Sequence, residues 1–291
     1  MIADDGRTPD EPDGQPNDGH VVSGATVGPG AGALVTTARV IVCCGSGGVG
    51  KTTTAAVIGL EAARRGRRAV VVTIDPARRL ADALGLAGGL TGEPQRVPLP
   101  GSPGELWATM LDTPAMFEKV VRAHAPDHEQ AERIVQNDFY RNIAGALSGT
   151  QEYMASEALH ELHADGRFDL VVVDTPPSRN ALDFLEAPGV LARFLDHTAF
   201  KLLMMPTRTG FKVFSLATQP LLRAIGRVVG SDVLADAVAF FQAFAGMDAG
   251  FRERAEQVTA LLHDGSTAFV LVAAPQHDAV AEAGWFADQL A

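Results

Sequence analysis

A glycine-rich segment near the start of the chain carries the residue types that bind phosphate. Its glycines let the backbone curl so that successive N–H groups converge on phosphate oxygens, and a following helix adds the positive end of its dipole. Lys51 is expected to neutralise the β- and γ-phosphates, and the Thr52 hydroxyl to join the coordination shell of Mg²⁺. The pattern G-x-x-x-x-G-K-[ST] therefore predicts a site for ATP and Mg²⁺. Its predicted contacts are Gly45, Ser46, Gly47, Gly48, Val49, Gly50, Lys51, Thr52 and Thr53.

Two aspartates follow apolar runs that have the pattern of buried strands. Asp174 ends the run 170–173, and Asp75 ends the run 70–74. Because the carboxyl ends of parallel strands meet at one edge of a sheet, both side chains are expected beside the phosphates. Asp174 is predicted to hold Mg²⁺ through water, and Asp75 to position or activate the attacking water, with Lys51 as the second catalytic residue. The alternative for each aspartate is a helix cap or a turn.

Strands and helices alternate along the chain, so the elements that position these residues have the pattern of an α/β protein. We predict a P-loop nucleotide-binding fold, with a mostly parallel sheet flanked by helices and a helical insertion over about 190–262. The predicted strands cover 40–44, 69–74, 106–111, 168–173 and 268–273. The predicted helices cover 52–65, 116–163 with breaks at 125–126 and 148–149, 189–262 with breaks, and 279–290.

The first part of the chain differs from the rest in composition. Residues 1–37 are rich in Asp, Gly and Pro and contain little that could pack, which predicts a disordered acidic tail. One ATPase domain is predicted over 38–291.

Composition and charge limit the classes of function. The chain has 291 residues, of which 46% are hydrophobic, and a formal net charge of −11. This charge does not favour nucleic acid as a partner, because nucleic-acid binding usually needs a basic face. There is no apolar run of ~18 residues that would span a membrane and no secretory signal. Since the only cysteines are the adjacent pair Cys43 and Cys44, a reduced cytoplasmic protein is expected.

The motifs together resemble the arsenical pump-driving ATPase family, which includes ATPases that target tail-anchored membrane proteins. The resemblance is carried by the residues 45–53, by Asp75-Pro76-Ala77-Arg78-Arg79-Leu80-Ala81-Asp82, by Asp174-Thr175-Pro176-Pro177 and by the run 270–275. It implies a dimeric MgATPase with a deviant Walker A motif and two segments that respond to the γ-phosphate. By position, Asp75 matches the family's water-activating aspartate and Asp174 the aspartate that opens the second segment. Pro275, which precedes the last predicted helix, joins the nucleotide-binding set.

The sequence departs from the family pattern at several places. Ser46 stands where the family usually has a lysine that reaches the partner's phosphates, so the resemblance implies either slow hydrolysis or a heterodimer with a lysine-bearing paralogue. The second segment lacks the family's usual Gly-His pair, and the metalloid-binding and zinc-binding cysteines are absent. The sequence ends at Ala291, before the family's usual further strand, so the resemblance leads us to expect that the C-terminal end of the family domain is missing and the base pocket incomplete.

The helical region holds nine of the 14 phenylalanines, between Phe184 and Phe251. The resemblance implies that this region binds a hydrophobic client or a membrane-protein partner, and the alternative is ordinary core or dimer packing. Two other functions stay open. One is a partitioning or positioning ATPase, and the other is a non-catalytic regulatory subunit of a heterodimer.

Overall fold

The computed structural model describes residues 30–137, 150–176, 184, 186–189, 231–244 and 246–290. Within these residues the chain forms one sheet in the order β3-β4-β2-β5-β1-β6. β3 is antiparallel to β4, and the other neighbouring strands are parallel. The strands are β1 (Val40–Cys44), β2 (Arg68–Thr73), β3 (Gln95–Val97), β4 (Glu105–Met110), β5 (Leu170–Asp174) and β6 (Thr267–Leu271).

The helices lie on both faces of this sheet, which confirms the predicted α/β P-loop architecture. β1 and β5 are buried along their whole length, as expected for Val- and Ile-rich strands covered on both faces. The helices are α1 (Ala31–Thr37), α2 (Lys51–Arg64), α3 (Arg79–Ala83), α4 (Thr113–His124), α5 (His128–Val135), α6 (Thr150–Ala164), α7 (Ser231–Ala243), α8 (Asp248–Leu262) and α9 (His277–Leu290).

Each face of the sheet has its own apolar core. The side chains of α2 pack with Cys43 and one set of strand residues, while α6, α8 and α9 pack with Cys44 and the alternate set. This division follows from the two-residue period of a strand. Gly59 lets α2 approach the sheet closely, since a Cβ there would lie 2.6 Å from Cγ2 of Val71.

A third apolar cluster joins α4 and α5 to α7 and α8. Phe240 and Phe251 are buried in it, and Phe244 packs against both rings at centroid distances of 4.9 and 5.8 Å. The phenylalanines described in this part of the predicted insertion therefore serve packing. Residues 190–230, which make up most of the proposed client-binding region, lie outside the described residues, as do 1–29 and the second-segment residues 177–180.

Short elements differ from the sequence prediction. Ala31–Thr37 forms a helix, so the tail predicted to extend to 37 is wrong for those residues. Val35 is buried, and the Arg67 guanidinium donates to the carbonyl oxygen of Val35 at 2.6 Å and to that of Ala38 at 2.7 Å. These contacts hold α1 against the core. β3 and α3 were also not predicted, and no helix of the described chain is long and apolar enough to cross a membrane.

Candidate nucleotide-binding site

The glycine-rich loop connects β1 to α2 at the carboxyl edge of the sheet. Gly45 has φ +147°, and a Cβ there would lie 2.1 Å from the carbonyl oxygen of Val272. A side chain is therefore excluded, because the loop passes directly against the segment that follows β6. Gly48 and Gly50 have φ values of +77° and +97°, in the left-handed region that favours glycine. The predicted curl of the backbone is present.

The first turn of α2 presents backbone donors toward this loop. The Thr54 N–H donates to the carbonyl oxygen of Gly50 at 2.9 Å, which is the first hydrogen bond of the helix. The N–H groups of Lys51, Thr52 and Thr53 thus have no acceptor within the helix. Together with the positive end of the helix dipole, these donors suit an anionic phosphate.

Lys51 is enclosed by the loop that it follows. Lys51 is 6% exposed, and its Nζ donates to the carbonyl oxygen of Ser46 at 2.8 Å. Burial lowers the pKa of Lys51, and the negative charge of Asp174 acts in the opposite direction. Because an ammonium group has three donors, Lys51 can stabilise the loop and still donate to a phosphate oxygen.

Asp174 is the last residue of β5, and its two carboxylate oxygens have different surroundings. The Thr73 hydroxyl donates to Oδ2 at 2.9 Å, whereas Oδ1 is buried and has no hydrogen-bond partner among the described residues. Burial raises the pKa of Asp174, and the Thr52 and Thr73 hydroxyls and the Lys51 charge lower it. A buried carboxylate oxygen beside a threonine hydroxyl fits a Mg²⁺ site in which Thr52 binds the ion and Asp174 holds its water.

Asp75 follows β2 and is less buried, with a side chain 17% exposed. Its Oδ1 accepts from the Ala77 N–H at 2.9 Å, and its Oδ2 lies 3.1 Å from Nη1 of Arg79. Its own N–H donates to the Thr73 hydroxyl oxygen at 3.3 Å. Thr73 therefore contacts both aspartates, and the two carboxylates predicted from the strand ends lie at the same edge of the sheet.

The remaining predicted residues lie in the loop, in the first turn of α2 and in the segment after β6. Gly47 and Thr53 are exposed in the loop and the first helical turn, whereas Ser46 and Val49 are half-buried in the loop. Pro275 is exposed in the segment between β6 and α9, beyond the residue that contacts Gly45.

Sequence reasoning missed Thr73 and Arg79. Thr73 lies inside an apolar run, where a single threonine is typical of strand packing, so its hydroxyl bonds had no sequence signal. Arg79 is four residues after Asp75, a spacing that brings side chains together on a helix, but no helix was predicted there. The i,i+4 spacing was the one available signal.

Comparison with known proteins places this chain in a family. Protein Rv2184c of Mycobacterium tuberculosis is 35% identical over 55% of this chain and 39% of its own length. ATPase GET3 of Malassezia globosa is 30% identical over 53% of this chain and 44% of its own length. The arsenical pump-driving ATPase of Acidiphilium multivorum is 30% identical over 52% of this chain and 26% of its own length.

These matches span less than half the length of each of those relatives. The family model is matched over much more of this chain. A model described as anion-transporting ATPase matches residues 38–291, which include the glycine-rich loop, both aspartates and α9. The chain therefore belongs to the anion-transporting ATPase family.

Proposed function

We propose that this chain is a Mg²⁺-dependent ATP hydrolase. The observation that carries the proposal is that Lys51, Asp174 and Asp75 lie at one edge of the sheet beside a glycine-rich loop whose first glycine has no room for a side chain. Relatives named ATPase GET3 and arsenical pump-driving ATPase support the same activity.

Each residue has a role that its surroundings suit. The loop and the first turn of α2 bind the phosphates through backbone N–H groups, and Lys51 stabilises the negative charge that develops during transfer. Mg²⁺, when bound, neutralises charge on the phosphate oxygens. Asp174 would help to hold the ion through Oδ1, and Asp75 accepts a proton from the attacking water or positions that water.

Phosphate release from MgATP by the purified chain tests this proposal. We expect Lys51→Ala to abolish turnover, because the loop then lacks its cation. Lys119→Ala is the matched control, since Lys119 forms a surface ion pair with Glu161 and turnover should not change. Equal turnover in the wild-type chain and Lys51→Ala would contradict the proposal.

We also propose that the active form is a dimer. The partner is either a second copy of this chain or a paralogue. Because Ser46 supplies no positive charge to the loop, a paralogue would bring the lysine that this chain lacks. Light scattering with and without a non-hydrolysable ATP analogue tests self-association, and a mass that stays monomeric in both conditions would leave only the paralogue. The regulatory-subunit alternative predicts negligible turnover by this chain alone. It also predicts turnover with the paralogue that persists when Asp75→Asn is made here.

The finer function rests on the resemblance to ATPases that target tail-anchored membrane proteins. We propose that hydrolysis is coupled to a hydrophobic client or to a membrane-protein partner, in preference to a partitioning role. The candidate region is 190–250, with the variants placed in 190–230. A cytoplasmic location stays a prediction. Charge substitutions at apolar positions of this region should reduce capture of a tail-anchored test protein. Unchanged capture by every such variant would remove this part of the proposal.

A further inference from the structure

Arg79 is a positively charged residue at the candidate site that none of the roles above uses. Its Nη1 lies 3.1 Å from Oδ2 of Asp75, and its side chain is 64% exposed. The other carboxylate oxygen of Asp75 accepts the Ala77 N–H at 2.9 Å. Both oxygens of Asp75 are therefore bound by the chain itself. Each carboxylate oxygen keeps a second lone pair, but the ion pair with Arg79 holds Oδ2 toward its own segment, so Asp75 is freer to face the attacking water once Arg79 leaves.

The Asp75–Arg79 pair lies within electrostatic reach of the phosphate-binding lysine. The charge of Arg79 lowers the pKa of Lys51, and the charge of Asp75 raises it. Asp75 is also linked by its backbone N–H to the Thr73 hydroxyl, which donates to Asp174. Arg79 is thus a second cation beside the loop, in addition to Lys51.

The chemistry of the pair favours an exchange of partners. The Arg79 side of the pair is exposed, so water screens the ion pair and weakens it. A guanidinium group binds phosphate oxygens strongly through paired N–H donors, and a terminal phosphate carries more negative charge than a carboxylate. When both anions are within reach, Arg79 should prefer the phosphate.

We propose that Arg79 distinguishes a nucleoside triphosphate from a diphosphate by alternating between Asp75 and the terminal phosphate. Arg79 restrains Asp75 while it is paired, and its move to the phosphate frees Oδ2 for the attacking water. Hydrolysis removes the terminal phosphate and returns Arg79 to Asp75. This inference rests on the proposed function, since it assumes that the loop binds a nucleotide.

The neighbouring Arg78 provides a matched control. It has the same charge and is exposed in the same segment, but its Nη2 donates to the carbonyl oxygen of Ala87 at 2.7 Å. Arg78 thus contacts the segment after α3, whereas Arg79 contacts Asp75. A general loss of positive charge should affect Arg78→Gln and Arg79→Gln equally, but the proposed contact involves Arg79 alone.

Calorimetric titration of the full chain with Mg²⁺ tests the inference. Affinity is measured for a non-hydrolysable ATP analogue and for ADP in the wild-type chain, Arg79→Gln and Arg78→Gln. We expect Arg79→Gln to weaken binding of the analogue about tenfold, as for one charge-assisted hydrogen bond, and to leave ADP within about twofold. Arg78→Gln should change neither affinity, and Arg79→Lys should recover part of the loss.

The competition between the two anions is tested by combining variants. Asp75→Asn should strengthen analogue binding in the wild-type background, and the gain should be smaller when Arg79→Gln is also present. Equal weakening of the analogue and ADP by Arg79→Gln, no weakening of either, or the same gain in both backgrounds would overturn the inference. If the wild-type chain bound neither nucleotide, the proposed function would be wrong and this inference with it. Thermal unfolding of each variant checks that the chain is folded.

Discussion

β2 and β5 are neighbouring strands that end at the same edge of the sheet, and each has an aspartate at its end or just beyond it. Asp174 is still inside the strand ladder, in register with Thr73 of β2 and Cys43 of β1, and its residue is 1% exposed. Asp75 lies just beyond the ladder, and its side chain is 17% exposed. One carboxylate is thus fixed by strands on both sides, and the other lies in a segment outside the ladder.

The different surroundings of the two aspartates suit two different roles. A group that orients a metal-bound water must stay in place, and the ladder on both sides of Asp174 provides that. A group that responds to the terminal phosphate must exchange partners, and the bonds of Asp75 to Ala77 and Arg79 come from its own short segment. Equivalent positions in the fold therefore do not imply equivalent roles.

The largest expected effect is that of Asp75→Asn on turnover. Loss of a residue that accepts a proton from water, or positions it, should lower phosphate release by about 10²–10⁴-fold, while nucleotide binding is retained. Asp82→Asn is the matched control, because Asp82 is an exposed aspartate of the neighbouring helix α3. A turnover of Asp75→Asn within a few-fold of the wild-type value would show that Asp75 does not act on the water.

Asp174→Asn should act through the metal. Removing an outer-shell carboxylate should raise the Mg²⁺ concentration needed for half-maximal nucleotide binding by about 10–100-fold. Titration of Mg²⁺ at fixed nucleotide concentration measures this shift. If the Mg²⁺ requirement of Asp174→Asn equalled that of the wild-type chain, Oδ1 would have no part in metal binding.

Thr73→Val removes the hydroxyl that joins the two aspartates. The buried Oδ2 of Asp174 then loses its donor, so the free energy of unfolding should fall by about 1–2 kcal/mol. Denaturant unfolding measures the change. Thr73→Ser keeps the hydroxyl and should recover most of the loss; equal losses in the two variants would assign the effect to the missing methyl group or to packing.

The smallest effect is on thermal stability, and its sign depends on pH. Burial raises the pKa of Asp174 in the folded state above its value in the unfolded chain, because it disfavours the charged form. The neutral side chain therefore contributes to stability below the unfolded pKa, and this contribution is lost as pH rises through the folded pKa. At pH 7 the buried charge is unfavourable. Asp174→Asn should therefore raise Tm by about 2–4 °C at pH 7, and the gain should shrink as pH falls.

Asp169, which directly precedes β5, tests a pKa shift of the opposite direction. Hydrogen bonds from Arg68 lower the pKa of Asp169, so its contribution is present above the unfolded pKa and is lost as pH falls through the folded pKa. Asp169→Asn should lower Tm slightly at pH 7, since the side chain is 40% exposed and well screened. A lower Tm for both variants would mean that burial does not disfavour the charge of Asp174.

Much of this site was predictable from local sequence. The glycine positions and Lys51 follow from what phosphate binding needs, and Asp174 follows from the end of a continuous apolar run. The predicted boundaries of β2 and β6 are within two residues of those observed, because continuous apolar runs give a strong strand signal.

The unpredicted features depend on contacts that a local pattern does not contain. β3 has the residues Gln95–Val97 and one buried side chain, too few for a periodic signal. α1 is held by Arg67, which is 32 residues away from Val35 in sequence. The Asp75–Arg79 pair and the bonds of Thr73 depend on the path that the chain takes after β2. The chemistry of the site was therefore more predictable than the contacts that hold its carboxylates.

The most direct test of the different roles of the two aspartates is turnover measured across a wide range of Mg²⁺ concentration in the wild-type chain, Asp75→Asn and Asp174→Asn. We predict that high Mg²⁺ restores much of the activity of Asp174→Asn, because the lost carboxylate only strengthened metal binding. Asp75→Asn should stay inactive at every concentration, since Mg²⁺ cannot replace the group that acts on water. Recovery of Asp75→Asn by Mg²⁺, or no recovery of Asp174→Asn, would contradict this assignment.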